Sequence, residues 1–554
     1  MAKMKERNTQ LKSALGQMAP KERVVEVINM PKYDTVNRQG YGAYGLEDEL
    51  RLISMLNTLK LEPQFYRSEN ETMRELRDLI ERIGSKDPYF VAQAIVYSRC
   101  MGEGMRSINH LAAALVAPFI SGQEYAKRFY GLFNKKEQRG GCIFRPDDMQ
   151  EIKDVFDCLN NATLSNAMKK GFASVLQLLD TYQLCKYKST VIDIANLVHP
   201  NPELSAATVI IDGKKMKTLD ALMKGINISA DTWEVAQSEA GQEVAKAVRE
   251  GKLTESEAKV VLEKAKDDNW EALLNDGKLG ILAALRNLRN MLIGSRPAVI
   301  TKVCELVSNP ELIRKGKIMP YQIDLAAQAV RDEFGTGGNA GKVLAALEKG
   351  YIESVPNLKE ALPGKTLVVV DCSGSMNVQC YNAKTGKRIG NTAAQKAGLI
   401  AATIAQATGG DVIRFGSRTE WFSGNFKASG VFDLGNQIGH ANMGGTSLET
   451  VFNKIHAERK VYDRIVILSD NECNGFSQGR GWNSSPANAY KQYVHDVCSP
   501  YVYEIDLAAY GTMPLKNDGK VNYYYGYGYA MFDDIASREF NPAMHIEKVR
   551  KVII

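Results

Sequence analysis

Oxygen-bearing side chains follow an apolar run in the last third of the sequence, at a spacing that suits a divalent cation. The stretch LVVVDCSGSMN, residues 367–377, sets Asp371, Ser373 and Ser375 at alternate positions after four apolar residues. Such a run is typical of a strand buried on both faces, and Gly374 suits a tight turn after it. Asp371 is therefore expected at the carboxyl end of a strand, where open parallel α/β sheets bind ligands. Hard oxygen ligands suit magnesium or calcium better than zinc.

Two further segments carry side chains of the same kind. In MGGTSLET, residues 443–450, two glycines allow a close approach and Thr446 opens a helix. In IVILSDNE, residues 465–472, an apolar strand runs into Ser469 and Asp470. Because only two carboxylates face the cation, it stays electrophilic and can accept a carboxylate or phosphate oxygen from a partner. We therefore predict one divalent cation, magnesium being the best fit, held by Asp371, Ser373, Ser375, Thr446 and Asp470.

Other interpretations of these residues remain open. Asp371 and Asp470 could merely cap helices, since Asp favours the N-cap at a strand-to-helix turn. An aspartyl phosphatase also ends a buried strand in its nucleophilic Asp, but such enzymes place a second Asp two residues later, where this chain has Ser373. The pattern indicates no role for Glu472, which is expected in solvent, or for Cys372, which is expected to be packed. No Ser-His-Asp arrangement, HExxH or GxxxxGK[ST] motif is apparent near the site, so we expect no enzymatic activity.

Composition limits the class of protein. The chain has 554 residues, 44% of them hydrophobic and 24% charged, as expected for a soluble protein of two or more domains. No signal-peptide pattern and no run of about 18 apolar residues occurs, which favours a cytoplasmic protein without a membrane span. The nine cysteines form no CxxC pair, which favours reduced thiols. Since 70 Lys and Arg residues face 64 Asp and Glu residues, RNA binding would need local basic clusters.

Two patterns divide the chain. From about Leu46 to Gly350, apolar residues recur at helical spacing without a convincing strand pattern, which indicates an all-α, HEAT-like array of stacked helix pairs. The segment GYIESVPNLKEALPGK, residues 350–365, is interpreted as the passage between domains. After it, strands alternate with helices, which indicates a doubly wound parallel α/β sheet. We expect an N-terminal extension over residues 1–30, a helical-repeat domain over 31–360 and an α/β domain over 361–554.

The motifs and their order resemble the TROVE family of Ro-like proteins. The pattern DxSxS, then T, then D resembles the metal-ion-dependent adhesion site of von Willebrand factor A domains. In the helical part, the stretches that match the family in order are GLEDELRLISML, AMKKGF, YKSTVIDIANLVHPNP, NWEALLNDGKLGILAALRNLRNML and RKGKIMPYQI. The resemblance covers about Tyr41 to Ile554. It implies a ring of helical repeats, and a metal site with the three hydroxyls as direct ligands and the two carboxylates acting directly or through water.

The same resemblance implies a non-catalytic RNA-binding protein of RNA quality control. Family members admit a single-stranded 3′ RNA end into the hole of the ring and bind structured small noncoding RNAs, called Y RNAs, on its outer surface. We therefore expect Y-like and misfolded RNAs as partners of a monomeric protein, and the resemblance allows an exoribonuclease partner. The competing hypotheses are a metal-dependent protein-interaction scaffold and a magnesium-dependent phosphate-ester hydrolase.

Basic clusters of the helical part are the candidate phosphate contacts. Each has an ordinary alternative, because paired lysines usually form a solvated helix face and a histidine before proline is usually packed or capping. The run VNYYYGYGYAMF, residues 521–532, suggests either a stacking platform for bases or an edge strand with a turn, and we favour the strand. The candidate RNA contacts are Lys169, Lys170, Lys186, Lys188, His199, Arg286 and Arg289, with Arg106 and His110, one helical turn apart, as further candidates.

Overall fold

The computed structural model of the chain describes residues 33–160, 163–211, 213–226, 228, 233–250, 252–277, 279–294, 296–316, 318–355, 358–381, 388–389, 391–474, 485–526, 528, 531–532, 534–535 and 544–554. The described residues of Met1–Val175 and Asn357–Ile554 form one compact unit, and those of Leu176–Pro356 form another. The first helices of the chain therefore group with the C-terminal α/β residues. No helix within the described ranges is long and apolar enough to span a membrane.

Helices make up most of the N-terminal part of the first unit. They span Asp48–Thr58, Glu69–Gly84, Pro88–Val96, Ser107–Leu115, Ala117–Ile120, Ala126–Phe129, Pro146–Asn160 and Asn166–Leu178, with a π-helical turn at Tyr97–Met101. Local sequence sets several of these boundaries. Ser68 and Glu71 form a reciprocal capping box at the start of the second helix, and the Asp87 side chain accepts a hydrogen bond from the Phe90 amide at the start of the third.

The second unit is also mainly helical. Its helices span Thr181–Lys186, Lys188–Val198, Thr218–Met223, Trp233–Arg249, Glu255–Asn275, Ile281–Gly294, Pro297–Val307, Pro310–Gly316, Pro320–Phe334 and Gly338–Glu353, with a 3₁₀ turn at Pro202–Leu204. Helices that are neighbours in sequence pack as pairs, as Pro320–Phe334 does against Gly338–Glu353. Their apolar faces are buried, for example at Ile323, Ala327 and Val330. The predicted helix-rich N-terminal region is confirmed.

Short hairpins interrupt the helices. They are built from β1 (Thr35–Val36), β2 (Gly42–Gly45), β3 (Phe133–Asn134), β4 (Arg139–Gly140), β5 (Thr208–Ile211) and β6 (Lys214–Lys217), paired antiparallel as β1–β2, β3–β4 and β5–β6. The sequence pattern indicates no strand between Leu46 and Gly350, so strands β3 to β6 were not predicted. The sequence feature that favours the β5–β6 hairpin is the dipeptide DG. Its glycine, Gly213, has a φ of +74°, a conformation that a two-residue hairpin turn requires.

The α/β part contains the predicted alternation of strands and helices. Its strands are β7 (Thr366–Asp371), β8 (Cys380–Tyr381), β9 (Arg388–Ile389), β10 (Asp411–Phe415), β11 (Thr419–Trp421), β12 (Arg464–Ser469), β13 (Tyr501–Asp506), β14 (Thr512–Met513) and β15 (Val521–Tyr525). Its helices span Leu358–Ala361, Ala393–Thr408, Val431–Gly439, Glu449–Ala457, Pro486–Asp496 and Met544–Arg550, with a 3₁₀ turn at Ser375–Asn377. The main sheet has the order β11-β10-β7-β12-β13-β15, and only the β10–β11 pair is antiparallel.

The connections of this sheet reverse direction at β7. The chain passes from β7 to β10 on one side and then returns to β12 on the other side. Since such crossovers are right-handed, the connecting helices cover opposite faces of the sheet. The reversal opens a crevice beyond the carboxyl ends of β7 and β12, which are buried along their whole length. Two of the three predicted metal-site loops begin at these ends.

The tyrosine-rich run forms an edge strand, as we favoured. β15 pairs in parallel with β13 at the edge of the sheet, and helix Asp48–Thr58 packs against it. Tyr523, Tyr524 and Tyr525 are buried, and the Tyr523 hydroxyl donates a hydrogen bond to Asp506 at 2.8 Å. These three rings are therefore inaccessible to bases, and the stacking-platform alternative is wrong for them. Tyr527 and Tyr529 of the same run lie outside the described residues.

A buried ionic network joins two N-terminal helices through Asp148. Its carboxylate accepts two hydrogen bonds from Arg99, at 2.9 and 2.8 Å, and lies 3.1 Å from both the Arg106 guanidinium and His110 Nε2. His110 Nδ1 lies 2.6 Å from Glu151. Burial alone would raise the pKa of Asp148, but the hydrogen bond with His110 and the charge of Arg99 outweigh it and hold that pKa well below its usual range.

Replacing Asp148 by Asn should destabilise the first unit by about 3–5 kcal/mol at neutral pH, because Arg99 would remain buried without its partner. Asp157→Asn on the same helix removes a more exposed partner of Lys153, and should cost less than about 1 kcal/mol. A carboxyl group whose pKa is lowered on folding contributes its full stabilisation above the pKa of the unfolded state, which is about 4. That stabilisation decreases as the pH falls below this value. Urea denaturation should therefore show the gap between wild type and Asp148→Asn narrowing below about pH 4. Equal effects of the two substitutions would contradict this role.

Candidate functional site

The loop after β7 folds around the Asp371 carboxylate. One carboxylate oxygen accepts a hydrogen bond from the Ser373 amide at 2.8 Å, and the other accepts one from the Ser469 hydroxyl at 2.5 Å. The hydroxyls of Ser373 and Ser375 lie 3.1 Å apart. The loop thus brings two hydroxyls and a carboxylate to the crevice, and Ser469 links it to the end of β12.

Backbone hydrogen bonds hold the second and third loops against the first. The Gly374 amide donates to the Gly444 carbonyl at 2.8 Å. Thr446 and Asn474 are joined by two bonds of 2.8 Å, from the Thr446 amide to the Asn474 side chain and from the Asn474 amide to the Thr446 carbonyl. Gly444 has a φ of +84°, and a Cβ there would lie 2.8 Å from the Ser417 hydroxyl, so the turn requires glycine. Thr446 is thereby fixed at the same crevice.

The electrostatics of the crevice fit a divalent cation. Asp371 and Asp470 are both fully buried, and neither forms an ion pair with a described residue. Burial, and next the charge of Asp470, raise the pKa of Asp371 to about 7, and burial also raises the pKa of Asp470. Two buried carboxylates beside three hydroxyls form an oxygen-only donor set, whose negative charge a Mg²⁺ or Ca²⁺ ion would offset. The five predicted ligands therefore suit the predicted kind of ion.

Residues from the start of the chain complete the surroundings of this site, and sequence reasoning missed them. The Gln39 side chain donates to the Tyr66 hydroxyl at 2.6 Å and to the Glu472 carbonyl at 3.0 Å, and it accepts from Asn474 at 2.9 Å. Burial, and next the charge of Asp470, raise the pKa of Tyr66 to about 12, against an opposing hydrogen bond from Ser375. No local motif could have identified these residues, because they lie more than 300 residues from the loops that they contact.

Glu472 is buried, so the expectation of a solvated side chain is wrong. One of its carboxylate oxygens accepts a hydrogen bond from the Arg38 amide at 2.8 Å, and the other has no partner among the described residues. Burial, and next the charge of Asp470, raise the pKa of Glu472 to about 8. Cys372 is buried, as expected, and its thiol donates to the Ile438 carbonyl at 3.6 Å.

A cavity of about 110 Å³ adjoins the metal-site residues. Ser375 and Asp470 form part of its wall. Another part of the wall comes from the segment that follows helix Asp48–Thr58 and includes Lys60 and Phe65, and Lys396 also lines the cavity. The crevice is thus bordered by a pocket that contains both apolar surface and cationic side chains.

Two of the candidate RNA contacts belong to the buried ionic network described above. Arg106 and His110 share a helix face, as predicted, but that face is turned toward Asp148 and Glu151. The His110 side chain is only 2% exposed, so it is inaccessible to RNA, and it binds carboxylates instead. Burial by partners distant in sequence could not be inferred from the spacing of these two residues.

The other candidates lie on helices or at helix ends. In the first unit, Lys169 is half-buried and Lys170 is exposed on helix Asn166–Leu178. In the second unit, Lys186 and His199 are exposed, and Lys188 is half-buried. His199 ends helix Lys188–Val198 with a φ of 47°, a conformation that helix caps often adopt. Arg286 and Arg289 are exposed on helix Ile281–Gly294, where Arg289 pairs with Glu333 at 2.5 Å.

Comparison with known proteins agrees with this architecture. Residues 234–387, which include the first metal-site loop, match the sequence model of the TROVE domain. The fold is similar to the crystal structure of the Deinococcus radiodurans RO (RSR) protein, with a TM-score of 0.52 and 16% sequence identity, over 89% of this chain and 100% of that one. The predicted resemblance to TROVE and Ro-like proteins is therefore confirmed, as is a helix-rich region followed by a mixed, mainly parallel sheet.

Proposed function

We propose that this chain is an RNA-binding protein of the Ro type. The observation that carries the proposal is the TROVE match over residues 234–387 in a chain with a Ro-like fold. Exposed cations on the helices of both units, among them Lys170, Lys186 and Arg286, supply the phosphate contacts that such a protein needs. With a net charge of only +6, binding depends on where these cations lie rather than on total charge.

The RNA partners under this proposal are small noncoding RNAs of the Y type and misfolded RNAs. A single-stranded 3′ end enters the hole of a helical ring, and structured regions bind the basic outer surface. The protein acts in RNA quality control in the cytoplasm as a monomer, and an exoribonuclease is a compatible partner.

We further propose that the crevice holds one Mg²⁺ ion. Ser373, Ser375 and Thr446 would supply hydroxyl ligands, with Asp371 and Asp470 directly or through water. The ion would offer an electrophilic position to an oxygen atom of a ligand. Gln39 holds Tyr66 beside the loop that follows β12, through hydrogen bonds to the Tyr66 hydroxyl and the Glu472 carbonyl.

No turnover of RNA or phosphate esters is expected. Asp371 is occupied by hydrogen bonds from Ser373 and Ser469, so it is poorly placed to act as a nucleophile or base. Assays with magnesium and with manganese should show product formation at the background rate. Turnover that disappears in Asp371→Ala would reverse this conclusion.

The RNA-binding proposal is tested by crosslinking in cells, followed by sequencing of the bound RNA and identification of co-purifying proteins. Recovery of one abundant small RNA with structured and single-stranded parts is expected. Recovery of a defined acidic protein without RNA would instead support the metal-dependent scaffold, in which the cation binds a carboxylate of the partner.

A further inference from the structure

We propose that the cavity beside the metal site binds the phosphate of a nucleotide, with Lys60 and Lys396 as cationic contacts and Phe65 as a stacking surface for the base. The inference deepens the proposed function and rests on it, since it gives RNA or a free nucleotide a second binding site in the α/β part of the chain. The candidate basic contacts on the helices play no part in it.

The position and size of the cavity suit a phosphate group. Its wall includes Ser375 and Asp470, so a group inside it lies beside the predicted cation. The volume of about 110 Å³ is somewhat smaller than the ~150 Å³ of an engineered cavity that holds benzene, so one phosphate fits and a whole nucleotide does not. The sugar and base must therefore lie at the mouth.

The mouth of the cavity has a defined shape because Arg67 holds the segment that forms it. The buried Arg67 side chain donates to the carbonyls of Ala508 and Ala509, at 2.9 and 3.1 Å, and pairs with Glu75 at 2.9 Å. These bonds attach the segment that contains Lys60 and Phe65 to the loop that follows β13. The Lys60 and Phe65 side of the cavity is thus fixed against that loop, whose residue Ala508 also lines the cavity.

The charge around the cavity favours a phosphate over a carboxylate. The two aspartates already offset the charge of a divalent cation, so the charge of an anionic ligand must be balanced by other cations. A phosphate monoester carries about −1.5 to −2 charges at neutral pH and needs more cations. Lys60 and Lys396 supply them, and Glu62 is the one carboxylate besides Asp470 among the described residues that line the cavity.

Phe65 gives the site a preference for nucleotides over simple phosphates. Its side chain is 55% exposed, although a phenylalanine normally prefers burial, and its ring stands edge-on to Tyr66 at 4.6 Å between centroids. An exposed ring beside a phosphate-sized cavity can stack on a base, an interaction worth about 1–3 kcal/mol per base in single-strand binding proteins.

Binding should require the divalent cation. Without it, Asp470 is a buried carboxylate in the cavity wall and would repel a phosphate. With it, this charge is offset and the phosphate gains an additional electrophilic partner. Cation dependence therefore distinguishes this site from lysine clusters that bind phosphate on their own.

The test is calorimetry on the full chain with adenosine 5′-monophosphate and with inorganic phosphate, in excess magnesium and in EDTA. The nucleotide should bind only with magnesium. Lys60→Ala and Lys396→Ala should each lower the affinity for the nucleotide by about tenfold, which corresponds to the loss of one charge-assisted hydrogen bond. Phe65→Ala should lower the affinity for the nucleotide by about tenfold and leave the affinity for inorganic phosphate unchanged. The matched control is Lys86→Ala, an exposed lysine of the N-terminal helices that does not line the cavity.

Equal nucleotide binding by wild type and Lys60→Ala/Lys396→Ala, or no binding while magnesium itself binds, would overturn the proposal. Binding of an aspartate-containing peptide but not of the nucleotide would also overturn it, in favour of a protein partner. An RNA oligonucleotide with and without a 5′-phosphate separates an RNA end from a free nucleotide as the natural source. Wild-type affinity for structured RNA is measured in parallel, so that failure of the cavity alone leaves the RNA-binding proposal standing.

Discussion

Asp371→Asn should lower the affinity for magnesium by about 100-fold or more, because it removes the negative charge around which the first loop is built. The amide keeps the size of the side chain and one oxygen acceptor, which can serve the Ser373 amide, while the Ser469 hydroxyl can rotate to accept from the new NH₂ group. The loss should therefore come from ligand chemistry rather than from unfolding. Asp371→Ala removes both the charge and the acceptors and should bind no magnesium.

Calorimetry with magnesium and thermal melting with and without EDTA check this prediction. In EDTA the melting temperature of Asp371→Asn should equal or exceed that of the wild type, because the variant no longer buries two carboxylates side by side. Asp433→Asn, at an exposed position of the same domain, is the matched control and should bind like the wild type. An unchanged magnesium isotherm in Asp371→Asn would remove Asp371 from the site.

Charge reversal at Lys169 and Lys170 should lower the affinity for structured RNA and make that affinity less dependent on salt concentration. Each duplex phosphate that a lysine neutralises contributes a slope of about −0.9 to log K against log salt, so the loss of two contacts should reduce the slope by about 1.8. The two side chains are adjacent on helix Asn166–Leu178, and Lys170 is exposed. We expect the effect to be similar for different RNA sequences, because phosphate contacts carry no base information.

The matched control for this variant is Lys427→Glu/Lys516→Glu. It changes the net charge by the same amount, at two exposed lysines of the α/β part. Asp371→Ala should also leave the salt slope unchanged, since it removes the cation site and no phosphate contact. Equal slopes for the Lys169/Lys170 variant and the control would show that these lysines are only a solvated helix face.

Local sequence was sufficient to place the loops after β7 and β12 at strand ends and to predict the α/β order. Asp371, Ser373 and Ser375 lie within five residues, and their position follows from the buried strand before them. The alternation of apolar strands and amphipathic helices likewise depends on short-range periodicity, which sequence displays directly. The tyrosine-rich run was interpreted correctly as an edge strand for the same reason.

Contacts between segments that are far apart in the sequence could not be predicted from it. Gln39 and Tyr66 meet the predicted metal-site loops across more than 300 residues, and no periodicity indicates such a pairing. His110 was considered for RNA because of its type and spacing, whereas its burial depends on Asp148 and Glu151 from another helix. The grouping of the first helices with the α/β residues is a tertiary property of the same kind.

The most direct test of the proposed function is a salt titration with one structured RNA, prepared with a free single-stranded 3′ tail and with the tail removed. We predict tighter binding of the tailed RNA, and a steep loss of affinity with salt for both, with slopes of roughly −0.7 per single-strand contact and −0.9 per duplex contact. Equal affinity for the two RNAs, with a slope near zero, would contradict the account and would mean that the helical part serves as a protein scaffold.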